Sequence, residues 1–224
     1  ISLSMSRWYP QNKEELNNLI DKFLEKKPLK IKNREIHGII APHAGYIYSG
    51  EIAGRAYSLS KNKKFSRAII LAPSHYISLR GIATADEENW ETPLGKTKII
   101  KSNFGFPKMN IKQEHAIDNQ IPFLQKLNKN IEILPLVVGE ISSQEAENFA
   151  KQISKINAEC IFSTDLSHFL EYEKAKQADM QTIKIIESLD IKNFEKLDAC
   201  GKFPLLILMH LCKFWFIDYK FKTL

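Results

Sequence analysis

Gly38-Ile39-Ile40-Ala41-Pro42-His43-Ala44-Gly45-Tyr46 runs from an apolar stretch into a proline, then a histidine, then a small, flexible pair. That is the pattern of a buried strand that delivers a polar side chain to the loop at its end. The construction returns in Ala68-Ile69-Ile70-Leu71-Ala72-Pro73-Ser74-His75. A variant of it ends Cys160-Ile161-Phe162-Ser163-Thr164-Asp165-Leu166-Ser167-His168. Three such segments point to one shared site.

The flanking sequence supplies helices. Residues 11–26 space Leu16, Leu19, Ile20, Phe23 and Leu24 as an amphipathic helix that ends before Pro28. After a strand at Glu35–Ala41, Gly50–Tyr57 reads as a helix whose Gly50 and Gly54 would let it lie close to a sheet. Arg67–Ala72 is a second strand, and shorter strand-like pieces occupy 80–100. Residues 114–128 are helical in pattern, with Pro122 predicting a kink or a restart. Ile131–Val138 is the most apolar strand, and Ser142-Ser143-Gln144-Glu145 opens a helix as a capping box. A strand at Glu159–Ser163 precedes helical stretches at about 171–189, 191–198 and 203–216, and 215–224 is an edge strand or a loose tail. Apolar strands alternating with helices predict a single α/β domain, its largely parallel or mixed sheet flanked by helices. Ligands of such sheets bind beyond the carboxyl ends of the strands, so His43, His75, Asp165 and His168 are expected to converge there.

Composition bounds the rest. The 224 residues, 44% hydrophobic, suffice for one full core. The net charge of +6 is carried by lysines spread along the chain, which reads as a mildly basic solvated surface. Nucleic-acid-binding signatures are absent. Three cysteines, at 160, 200 and 212, are too few for a disulfide framework and favour a reducing compartment. With no signal-peptide pattern and no uncharged apolar stretch of ~18 residues, the expected location is the cytoplasm, not a membrane. The chain starts at Ile1 rather than at a methionine, as a fragment or a mis-assigned start codon would.

Imidazole is the commonest protein metal ligand and the usual general base near neutral pH, which makes His43 and His75 candidates for either role. Asp165 and His168 are near enough in sequence to face one cleft as acid and base, as orienters of a metal-bound water or as further ligands; alternatively Asp165 caps the following helix. His115 lies between Glu114 and Asp118 at a predicted helix start, where Asp118, one turn on, can pair with the imidazole. Cys200, before Gly201, is either a buried small hydrophobe or a thiolate presented to a pocket. Cys160, Cys212, His37 and His210 sit where a core or structural role suffices.

Taken in order, these motifs resemble the MEMO family, which includes the AmmeMemoRadiSam system protein B. The matching stretches are Trp8-Tyr9-Pro10, Ala41 to Gly50, Pro73-Ser74-His75, Glu91-Thr92-Pro93-Leu94-Gly95, Glu114-His115-Ala116-Ile117-Asp118, Gln120-Ile121-Pro122-Phe123-Leu124, Ser163 to His168, and Cys200-Gly201. The likeness covers about residues 7–212 of a single domain spanning 1–224, and 213–224 is atypical. It implies a fold similar to the LigB type of class III extradiol dioxygenase, with His43, His75 and Cys200 as metal ligands. Asp165 and His168 would line the same cleft as its acid–base pair, with His115 and Asp118 beside them. Two imidazoles and a thiolate suit iron, copper or zinc; of these the resemblance implies iron(II) or copper, hence a metal-binding protein with a redox-metal cleft, and a nonhaem oxidoreductase if it is an enzyme. The alternative implied by the family is a non-catalytic module binding an anionic or phosphopeptide ligand, and the system name implies radical-SAM and AMMECR1-like partner proteins. Position 118 departs from the family's usual Glu. The family also continues into further strands beyond the cysteine helix, so the resemblance implies that C-terminal strands are missing here and a sheet edge is left open.

Overall fold

The computed structural model describes residues 8–26, 36–101 and 103–215. In chain order its elements are helix α1 (Lys13–Leu24), strand β1 (Gly38–Ala41), α2 (Tyr46–Ser58), β2 (Arg67–Pro73), β3 (Ile82–Ala85), β4 (Asn89–Thr92) and β5 (Gly95–Ile99). There follow β6 (Lys108–Met109), α3 (His115–Asp118), α4 (Ile121–Leu127), β7 (Glu132–Val138), α5 (Ser143–Ile153) and β8 (Glu159–Ser163). Helix α6 (Tyr172–Glu187), a 3-10 turn (Ile191–Lys196) and α7 (Lys202–Trp215) complete it.

The strands form one mixed sheet in the order β1-β8-β2-β7-β3-β6, with β5 on the first residues of β7 and β4 beyond it. Its centre is parallel: β8 lies between β1 and β2, in register Ala41 to Ser163 and Leu71 to Phe162. Only β3 on β7 and β4 on β5 run antiparallel. Because β1, β8 and β2 point the same way and end at nearly one level, the loops after them adjoin. The α/β reading and the parallel centre are thus both present.

Both faces of the sheet are covered, as the unbroken apolar strands require. Ala68, Ile70 and Ala72 of β2 pack with α1, α2 and α4 around Leu16, Ile20, Tyr57 and Phe123. Ile69 and Leu71 face the other way, onto α5 and α7 with Phe149, Ile153, Leu205 and Leu206. Helix α7 is buried over most of its circumference, which explains its nearly uninterrupted apolar sequence.

Local signals act largely as read. Ser142 and Glu145 close a reciprocal capping box at α5. Pro122 restarts the chain as α4 instead of kinking one helix, since a proline costs nothing in a first turn. The tail beyond 215 lies outside the described residues.

One expectation needs correction. Gly50 and Gly54 do not bring α2 close to the sheet; they bring it onto α1. A Cβ on Gly54 would stand 2.7 Å from the carbonyl carbon and oxygen of Phe23, and one on Gly50 2.4 Å from the Phe23 ring. Gly54→Val is therefore expected to prise the two helices apart and cost about 1–3 kcal/mol, read as a lower urea midpoint. An unchanged midpoint would show that the close approach is incidental.

Candidate metal centre

The centre is assembled at the carboxyl ends of β1, β8 and β2. Chain leaving β1 turns through Pro42 and places the His43 ring almost fully buried, 1% exposed. Its Nδ1 lies 2.8 Å from Ser163 Oγ, and its backbone N–H donates to Asp165 Oδ1 at 2.8 Å. Gly45, expected to give this loop its freedom, has φ −53° and ψ 144°, which any residue can adopt. The loop is held instead by Asn119, whose side-chain amide donates to the His43 carbonyl at 2.6 Å.

His75 follows β2 and is oriented by one carboxylate. Glu114 accepts its backbone N–H at Oε2 and its Nδ1–H at Oε1, each at 2.8 Å. Glu114 itself is 3% exposed and caps α3 by accepting the Ala116 N–H. Burial would raise its pKa, but the hydrogen bonds from His75 outweigh burial and lower it. Burial alone would lower His75; hydrogen bonds to Cys200 and Glu114 prevail and raise it to about 9.

His115 opens α3. Its ring stacks on Trp8 at 4.1 Å with a 9° interplanar angle, and its Nδ1 meets the Tyr76 hydroxyl at 3.1 Å. Burial, then repulsion by His75, depresses it to about 4. His43 is likewise driven well down, by burial first and then by His115 and His75. One ligand atom from each of His43, His75 and His115 falls within 4.8 Å of the others, so the three could hold a metal ion.

Cys200 completes the cluster from the far end of the sequence. Its sulfur is 3.2 Å from His43 Nε2 and accepts the Asp165 N–H, also at 3.2 Å. Gly201 makes the approach possible by lying directly against Thr164 and Ser163, where no side chain would fit. The metal donors His43, His75 and Cys200 expected by resemblance are therefore adjacent.

The predicted acid–base residues divide. Asp165 joins the cluster, yet its carboxylate serves the His43 main chain, with Oδ2 3.8 Å from His43 Nε2, and caps no helix. His168 is exposed and lies beside Phe169, whose fully exposed ring sits on a backbone at φ 59°. His115 belongs with the other two imidazoles. Asp118 does not pair with His115; it is 3% exposed and accepts Tyr9 Oη–H at 2.8 Å and Trp90 Nε1–H at 2.7 Å. Burial raises its carboxyl to about 6 against those two donors. The carboxylate beside His115 is Glu114, with Oε1 3.5 Å from Nδ1.

Glu114, Ser163, Gln120, Tyr76 and Trp8 were not singled out from sequence as site residues. Glu114 had a signal: a carboxylate directly before a histidine at a helix start. Cys160 and Cys212 are buried and their thiols pushed up to about 12, in keeping with core positions. His210 is buried with Nε2 2.9 Å from Ser143 Oγ, and His37 stacks against Trp215. No helix among the described residues is long and apolar enough to cross a membrane.

Known proteins are similar to this chain over most of its length. A family model described as Memo-like protein matches residues 5–224. A MEMO1 family protein of Nitrosopumilus maritimus is 30% identical over 92% of this chain and 84% of its own length. One of Thermotoga maritima is 33% identical over 82% of this chain and 75% of its own length. Protein MEMO1 of Mus musculus is 27% identical over 91% of this chain and 80% of its own length. A match that takes in every strand-end histidine and the cysteine as well places the chain in the Memo-like protein family.

Proposed function

We propose that the chain is a metal-binding protein whose cleft takes one redox-active ion, iron(II) or copper. His43, His75 and Cys200 are its donors, and His115 is the imidazole available beside them. The observation that carries metal binding is the grouping of three imidazoles whose ligand atoms lie within 4.8 Å of one another, and Cys200 is added to the donors by its sulfur, 3.2 Å from His43 Nε2. In each imidazole, Nδ1 is engaged by a different group: Ser163 for His43, Glu114 for His75, Tyr76 for His115. Histidines that ligate metals are usually held through the second ring nitrogen in this manner. The donor set fits the ion: nitrogen and sulfur suit iron, copper or zinc, whereas magnesium and calcium seek oxygen. Bound there, such an ion supplies single-electron exchange or polarises a small ligand.

The protein's own part is to exclude water from His43, hold His75 through Glu114 and tie the Cys200 loop to β8 through Asp165. His168, exposed at the rim, is placed to exchange a proton with a small-molecule ligand. Metal analysis after anaerobic purification tests the reading. Wild type is expected to carry close to one ion per chain, and His75→Ala and Cys200→Ser to lose most of it. Equal metal in all three proteins would sink it. His115→Ala, run alongside, shows whether the third imidazole is a ligand, by loss of metal, or a neighbour, by its retention.

A further inference from the structure

The buried end of His43 is set by a chain of hydrogen bonds whose directions can be counted. Ser163 Oγ, fully buried, has three partners: the Ala116 carbonyl at 2.6 Å, Gln120 Nε2 at 2.9 Å and His43 Nδ1 at 2.8 Å. A hydroxyl owns one hydrogen and two lone pairs. The Ala116 carbonyl can only accept, so the hydroxyl hydrogen goes there. Gln120 is fixed in turn, because Nε2 also reaches the Pro42 carbonyl at 3.0 Å, an acceptor, while Oε1 receives Tyr57 Oη–H at 2.9 Å. Its amide hydrogen therefore fills one lone pair of Ser163. Only the second lone pair is left for His43, so Nδ1 must be the donor.

We infer that Ser163, held by Gln120, Tyr57 and Ala116, is a positioning residue that fixes His43 as the Nδ1–H tautomer and leaves Nε2 bare toward Cys200. For metal binding, which rests on the function proposed above, this means that the first ligand is prepared before the ion arrives. No proton need leave Nε2 and the ring need not turn. His43 and the four groups that set it come from the loop after β1, from β8, α2 and α3, and from the α3–α4 junction, so the device is built by the fold and not by one loop.

The test reads the tautomer itself in metal-free protein. Nitrogen-15 NMR of the histidine rings is expected to show His43 with a protonated Nδ1 and an unprotonated Nε2. In Ser163→Ala the Nδ1 acceptor is gone, and the proton moves to Nε2, where Asp165 Oδ2 at 3.8 Å and the Cys200 sulfur at 3.2 Å attract it. Metal affinity, measured by chelator competition, should fall roughly 10–100-fold. Ser163→Thr, which keeps the hydroxyl, should restore both readouts. A wild-type spectrum with the proton on Nε2 overturns the inference without any variant, even if Ser163→Ala does not fold. So does a folded Ser163→Ala protein whose tautomer and affinity match wild type. Wild type that takes no metal yet shows the Nδ1–H signature refutes the metal reading and supports this one.

Discussion

Glu114→Ala is expected to loosen the metal site and destabilise the fold together, the larger part of the loss coming from His75. One carboxylate receives three N–H groups: the His75 main chain, the His75 ring and the Ala116 main chain. Each buried donor left without a partner costs about 1–3 kcal/mol. His75 is partly open, its side chain 27% exposed, so water can replace some of what is lost there. A net cost of about 2–4 kcal/mol follows, read as a lower urea midpoint. Metal affinity should drop by roughly 10–100-fold, as it does when a ligand histidine loses its carboxylate. Glu114→Gln separates the two effects. It keeps the volume and one acceptor oxygen but turns an N–H₂ toward one of the His75 donors. It should retain more stability than Glu114→Ala and still bind metal more weakly than wild type. Wild-type affinity in Glu114→Gln would remove the carboxylate from the account of the site.

That residue also marks where the sequence was legible and where it was not. Strand ends can be read locally, because an apolar run followed by proline and a polar residue is a short-range pattern. Such patterns located His43, His75 and Asp165 at one edge of a parallel sheet. What a short-range pattern cannot give is the partner of a buried polar atom. Periodicity along a helix offered Asp118 to His115, three residues on. Instead the chain breaks between α3 and α4, and Asp118 turns to Trp90 and Tyr9, far off in sequence. Glu114, immediately beside His115, reaches across to the β2 loop and takes His75. Ser163 was visible only as the last residue of a strand; its place under His43 follows from the register of β8 on β1. The glycines show the same limit. Gly50 and Gly54 announce a close approach, but only the packed structure says that the neighbour is Phe23 of α1. Cys200 shows the limit again, since its setting depends on a contact with Thr164, just after β8 and 36 residues earlier.

That contact turns on Gly201, and Gly201→Ala is expected to undo it. A methyl group there would stand 2.5 Å from Thr164 Cβ, 2.6 Å from Thr164 Oγ1 and 2.7 Å from the Ser163 carbonyl oxygen. The Ser163 carbonyl belongs to a central strand, and Thr164 immediately follows it, so the segment carrying Cys200 must give way. As it lifts, it strains three hydrogen bonds: Gly201 N–H to Thr164 Oγ1 at 2.9 Å, Cys200 N–H to the Asp165 carbonyl at 3.2 Å, and Asp165 N–H to the cysteine sulfur at 3.2 Å. Overpacking costs about 1–3 kcal/mol and each weakened hydrogen bond up to ~1 kcal/mol, so a loss of about 2–4 kcal/mol is expected on thermal or urea unfolding. Metal binding should fall as far as in Cys200→Ser, because the sulfur leaves the imidazoles even though the residue is intact. The two substitutions act on one ligand, so combining them should weaken binding no further, while only the glycine change carries the large stability loss. Wild-type metal affinity in a folded Gly201→Ala protein would mean that Cys200 does not need its seat on β8.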